Sequence, residues 1–290
     1  MTVLSRAAAR RCARRFAAAV DQLGDDRQSQ RVGALHNLAL LGKDAPAHRQ
    51  AIVDVFSAYL RGPSTDTAVR LATTRLLRSA LRPGRPEFWP GQSLDLTGAV
   101  LDEFDLSNCR VDGRLRLDGA VLRGQTRLRG LVVGGEATLR GSQWQEHAWL
   151  ERTVFHGPVS FDGATFRGDA WFGESMFGGW TSFTGTEFCG HAWFGGASFG
   201  APADFGYALF RRSAGFRGAV VHAGVGLGGA TFLGPARVSR RGDDGWNFCA
   251  PGWTVVVDED NKSVGRLLWI GHPELVEKPA VLDRSEPTPV

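Results

Sequence analysis

The chain has 290 residues, 43% of them hydrophobic and 22% charged, which is the composition of a globular protein with enough apolar material for a sizeable core. Its 38 glycines, in no collagen-like triplet, are roughly twice ordinary usage and require a backbone that turns often. The net charge of +4 is unevenly spread: residues 1–90 carry 15 Lys/Arg against 7 Asp/Glu, residues 91–241 carry 15 against 14, and residues 242–290 carry 4 against 9, which excludes a uniformly acidic or basic surface.

The first residues, MTVLSRAAARRCARRFAAAV, place arginines where a signal peptide needs its apolar stretch, and no run of 18 apolar residues follows anywhere. A cytoplasmic protein without a transmembrane segment is expected. Arg10, Arg11, Arg14 and Arg15 fall within two helical turns, a solvated face or a basic contact helix for an acidic partner, nucleic acid backbone or anionic lipid. Cys12, Cys109, Cys189 and Cys249 lie too far apart in sequence for zinc-ligand or redox-motif spacing and read as free thiols.

From Ser5 to about Leu81 the pattern predicts four short helices. The first carries Phe16, Val20 and Leu23, and the second Val32, Leu35, Leu38 and Leu41. The third, His48 to Leu60, turns Ile52, Val55, Phe56 and Tyr59 inward and stops at Gly62-Pro63. The fourth begins after a cap at Ser64 or Thr65 and carries Val69, Thr73, Leu76 and Leu77.

Beyond Leu94 the period changes. Large apolar residues recur from Leu106 through Leu128, Leu150, Phe172, Phe194 and Phe216 to Val238, with the intervening anchors at alternating steps of five and six residues. Such steps define no common stripe on an α-helix, whose interior would also tolerate the glycines poorly, so a helical coiled coil is rejected. Two residues before each anchor stands a small or β-branched residue, as at Ala148, Thr153, Val159 and Ala164, which alternation places on the same inward side. Glycine follows the anchor by two positions in most six-residue links, for example Gly157, Gly168, Gly179 and Gly190, where a corner is expected to need its permissive backbone.

Anchors of Leu or Phe, small residues two positions earlier and polar or glycine residues after them resemble the pentapeptide-repeat family, most plainly in SLDLTGAVLDEFDLSNC with Leu96, Leu101 and Leu106 at five-residue steps. The resemblance implies a right-handed quadrilateral β-helix, here with coils of 22 residues and two opposite corners enlarged. RVGALHNLALLGKD and AIVDVFSAYL also resemble the helical segment before the repeats in some bacterial members. The implied organisation is a helical domain over 1–88 docked near Leu96 and Leu101, a solenoid over 89–241, a cap hairpin over 242–273 built from WTVVV and RLLWI, and a disordered tail over 274–290.

No chemistry converges in the sequence. GASFG around Ser198 satisfies a nucleophile-elbow pattern and GVGLGG, Gly224 to Gly229, a dinucleotide fingerprint, but both keep the repeat's register and lack a strand-to-helix context. His147 and His191 sit two coils apart, about 10 Å, too far to share a metal, and His156 and His222 read as corner residues. No catalytic residue, metal ligand or cofactor is assigned.

The leading reading is therefore a non-enzymatic interaction module that presents ordered surface columns to an unidentified protein partner. Trp149, Trp171 and Trp193 recur every 22 residues at an outward position, and Arg127 continues the column, so these four residues form the candidate stripe. Some pentapeptide-repeat proteins protect topoisomerases as DNA mimics, but a near-neutral solenoid cannot copy a polyanion, and it is equally unsuited to bind nucleic acid broadly. The alternative of another class is an enzyme or ligand-binding protein with its site at the helix–solenoid junction, near Trp89, Glu103, Arg110, Arg114 and Arg116. A homodimer through an end cap is the assembly the sequence leaves open.

Overall fold

The computed structural model describes residues 6–63, 66–234, 236–239, 253–257 and 264–269. Four helices open the chain: α1 (Arg6–Leu23), α2 (Gln28–Asp44), α3 (Arg49–Arg61) and α4 (Thr67–Leu81), with a short 3-10 turn at Pro46–His48 before α3. Their shared core is Leu35, Leu38, Leu41, Ile52, Val53, Phe56, Leu60, Val69 and Leu77. On α3 the buried apolar positions are Ile52, Val53, Phe56 and Leu60, while Val55 and Tyr59 are only half-buried, because this helix packs on the other helices and on the solenoid at once. Ser64 and Thr65 lie outside the described residues. Asp66 caps α4, accepting the Val69 N–H, and hydrogen bonds from Gln28 and Arg31 hold its carboxyl down at about 2.

The repeats wind into a parallel β-solenoid of four faces. Face I runs from Leu94–Asp95 to Val225–Gly226, face II from Val100–Asp102 to Thr231–Phe232, face III from Thr126–Arg127 to Ala236–Ser239, and face IV from Arg110–Val111 to Val220–Val221. Partners one coil apart are 22 residues apart, as Ala148↔Ala170 and Phe155↔Phe177. The first coil is shorter by one, pairing Leu94 with Leu115 and Leu101 with Leu122, because the link from Leu101 to Leu106 lacks its sixth residue. That link turns through Glu103 at φ +46°.

The two kinds of corner differ physically. Five-residue links are turns closed from the residue after the corner back to the anchor, such as Ala164 N–H to Phe161 O at 2.9 Å. Their third residue has positive φ, +63° at Gly163, and Arg152, Glu174 and Tyr207 adopt the same left-handed conformation. Six-residue links, apart from the one through Gly124 at φ +65°, have a different need, which corrects the sequence reading. Gly157, Gly168, Gly179 and Gly190 do not have positive φ. They are glycines because the coils touch there: a Cβ on Gly190 would lie 2.4 Å from the Gly168 carbonyl oxygen.

Inside, the first coils are filled by leucines and valines and the later ones by phenylalanine columns. Phe161, Phe183 and Phe205 stack face to face at 4.8 Å per step, Phe172, Phe194 and Phe216 form a parallel column at 4.8 and 5.0 Å, and the columns meet edge to face, Phe172 to Phe183 at 5.5 Å and 86°. The small inward residues satisfy their polar atoms locally. Thr153 Oγ1 donates to Leu150 O at 2.8 Å, and the indole of the buried Trp144 donates to Ser142 Oγ at 2.9 Å.

Both ends of the stack are dressed. At the start, Gln50 exchanges hydrogen bonds with Ser93 (2.8 and 3.0 Å), Arg61 donates to Asp95 O at 2.8 Å, and Arg70 reaches Val100 O, so helical side chains take groups that a preceding coil would have paired. Trp89 is wedged beneath α2 where a Cβ on Gly42 would clash with its ring. At the far end, Val264–Trp269 pairs antiparallel with Ala236–Ser239 and then with Trp253–Val257, extending face III by a hairpin. The expected tail beyond residue 273 and Cys249 lie outside the described residues.

Phe183→Asp should place a carboxylate between two stacked rings and lose on the order of several kcal/mol; an unchanged denaturant midpoint would contradict the inward assignment. Gly190→Ala, with ordinary φ but no room, should cost about 1–3 kcal/mol, whereas free tolerance by the same measurement would mean the coils can separate at that corner.

Candidate interaction face

Face III carries the tryptophans. Each stands between an inward alanine and an inward anchor, and the register Trp149↔Trp171↔Trp193 puts them on successive strands, continued by Arg127 on one side and by Gly215 and Arg237 on the other. Their inward neighbours Ala148, Ala170 and Ala192 are fully buried, while Trp149 and Trp171 are half-buried and Trp193 is 38% exposed. Alternation along a two-residue strand is the whole cause.

The column is not one continuous stack. Trp149 and Trp171 lie parallel at 5.3 Å and 8°, and the Arg127 guanidinium covers Trp149 at 5.5 Å from its centroid. Trp193 departs from this pattern. It stacks with His191 at 5.7 Å and 22° and leans over Gly215, where a Cβ would meet its Cε3 at 2.5 Å. Gly215 is thus what allows the third ring to turn away.

A polar column, Gln125, His147, Asp169, His191 and Ser213, runs alongside. Asp169 N–H donates to His147 Nδ1 at 3.1 Å, His191 N–H donates to Asp169 Oδ1 at 2.8 Å, and His191 Nδ1 meets Ser213 Oγ at 2.5 Å. The two histidines are both linked to Asp169, His147 through its ring to the Asp169 backbone N–H and His191 through its own backbone N–H to the carboxylate, rather than isolated as corner residues. Sequence spacing gave their distance but not the aspartate between them. On the other flank lie Glu151, Gly173 and Gly195, with Arg152 and Glu174 paired at 2.8 Å.

The other sequence candidates scatter. On α1, Arg10, Arg11, Arg14 and Arg15 are all exposed, and Arg15 pairs with Asp44 at 3.2 Å. At the junction Trp89 is buried, Glu103 pairs with Arg127 at 3.7 Å and Arg110 with Asp112, while Arg114 and Arg116 are exposed, so these groups do not converge. A groove of about 630 Å³ lies elsewhere, at the C-terminal ends of α1 and α3, and the Arg31–Asp66 pair is part of its lining. Ser198 sits on a strand of face IV with no helix after it, and Gly224 to Gly229 are likewise followed by strand. No group of three or more His, Cys, Asp or Glu among the described residues could hold a metal. No helix among them is long and apolar enough to cross a membrane.

One surface escaped the sequence reading. On face IV the outward column is Val132, Val154, Met176, Ser198 and Val220, with Met176 54% exposed and Trp180 nearby 44% exposed. Its signal was present: between Val132 and Val220 the outward position before the anchor is apolar on this face except at Ser198, and following it on every face rather than only at the tryptophans would have found it.

The fold defines a repeat protein of the four-sided β-solenoid class. Residues 139–187 match the family model for pentapeptide repeats (9 copies), so the segment bearing Trp149 and Trp171 is similar to that family. Comparison with curated proteins and with solved structures gives no match.

Of the described thiols, Cys109 is buried against α4, its Sγ 3.7 Å from Arg78 O, and burial pushes it up to about 12. Iodoacetamide at about pH 8 should therefore modify the half-buried Cys12 and Cys189 before Cys109. Peptide mapping that finds Cys109 modified as fast as Cys12 would mean that α4 does not stay docked.

Proposed function

We propose that the protein is a non-enzymatic interaction module whose solenoid offers face III, centred on Trp149, Trp171 and Trp193 with Arg127, to a protein partner. The observation that carries this is the tryptophan column itself, large aromatic groups held in register on a wall whose inner side is Leu150 followed by the stacked Phe172, Phe194 and Phe216. The rings have little conformational entropy left to lose on binding, which suits an anchor. The helical domain, solenoid, hairpin and tail divide at 1–88, 89–241, 242–273 and 274–290 in this reading. The helices serve as the cap of the first coil, and exposed Arg10, Arg11 and Arg14 as a second contact element. A cytoplasmic setting agrees with the widely spaced cysteines.

The near-equal counts of acidic and basic residues between 91 and 241, many of them paired across coils, weigh against a DNA mimic. The scattering of Trp89, Glu103, Arg110, Arg114 and Arg116 weighs against a junction active site.

Replacing Trp149, Trp171 and Trp193 together by Thr, a strand-compatible residue, should shift the melting temperature little and abolish capture of the partner from native lysate. Undiminished capture with a lowered melting temperature would reduce the column to a stiffener of the wall.

A further inference from the structure

We propose that the part of face III around Trp171 and Trp193 receives an arginine side chain carried on an extended segment of the partner, an inference that rests on the tryptophan column being the docking surface. The chain already shows which group these rings accept. Arg127 lies over one face of Trp149, and Trp171 covers the other. Trp171 is one strand short of the same arrangement on its far side: the next strand supplies Trp193, whose ring turns to His191 and Gly215 instead of stacking on Trp171. The far face of Trp171 is thus left to a planar group from outside.

Charge selects the occupant. Beside Trp171, Asp169 gives one oxygen to the His191 N–H, and its other oxygen is 3.9 Å from His147 Nδ1. At that separation the His147 ring makes no hydrogen bond to the carboxylate, its Nδ1 meeting the Asp169 N–H at 3.1 Å instead. On the opposite flank Glu151 lies against Gly173, and its Oε2 is buried without a hydrogen-bond partner. The nearby Arg152 is committed to Glu174. Aromatic faces flanked by the carboxylates of Asp169 and Glu151 attract a cation, and a flat guanidinium matches both the ring and the carboxylate edge in a way that an ammonium does not. Gly173 and Gly195 carry no side chains, which lets the backbone of an extended segment come close to this wall.

The test uses the full chain and three short peptides of identical glycine-serine context that carry arginine, lysine or citrulline at the centre; citrulline keeps the planar shape without the charge. Indole N–H signals of Trp149, Trp171 and Trp193, assigned by single Trp→Phe variants, report the site. The arginine peptide should shift the Trp171 and Trp193 signals, with the lysine and citrulline peptides each about fivefold weaker. Asp169→Asn, which keeps an oxygen for the His191 N–H, should weaken the arginine peptide about fivefold and leave the melting curve in place. Equal binding of arginine and citrulline, no effect of Asp169→Asn, or shifts confined to other tryptophans would overturn the proposal. A fourth peptide with central leucine separates the two readings. If it alone shifts the column, docking stands and the arginine assignment falls; if none of the peptides shifts it and the triple Thr variant still captures the partner, both fall.

Discussion

Each coil is hydrogen-bonded to the next along all four faces, so every residue is held about 4.8 Å from the residue one repeat later. That spacing falls within the centroid separations at which parallel, offset aromatic rings stack. Phe161, Phe183 and Phe205 can therefore stack at 4.8 Å with nearly parallel planes, and the core becomes a set of ring columns rather than an interdigitated interior. The same spacing brings the six-residue corners so close that a methyl group has no room. A change at one coil is felt by its two neighbours and little further, as expected of a one-dimensional stack.

A stack of this kind is incomplete at its ends, where backbone groups lack a coil to pair with. The helical region resolves this at the start with polar side chains as much as with apolar packing. Gln50, Arg61 and Arg70 reach the first coil's backbone and Arg78 pairs with Asp105 at 2.8 Å, so part of the basic excess of the first 90 residues is spent inside the protein. Arg10, Arg11 and Arg14 on α1 stay exposed.

The register that builds the core also builds the surface. Outward positions repeat as faithfully as inward ones, which turns each face into a column of chemically related groups: tryptophans on face III, valines and methionine on face IV. The surface changes character where a column is interrupted. On face III the interruption is Gly215, which gives Trp193 somewhere to lie other than on Trp171.

The sequence by itself determined the period, the inward anchors, the outward tryptophans and their alignment with Arg127, because in a solenoid the side a residue faces follows from its position in the repeat. It also located the helices, but put the cap of α4 at Ser64 or Thr65 rather than at Asp66, and it missed the burial of Val53, which depends on neighbours distant in the chain. What only the tertiary structure decided were contacts between coils and between domains: that Gly190 is excluded from larger residues by the carbonyl of Gly168 and not by its own dihedral, that Asp169 joins His147 to His191, and that the third indole leaves the stack. Periodicity fixes which residues are stacked above one another. The rotamers and hydrogen bonds they then adopt depend on space and partners that appear only once the coils are laid on each other.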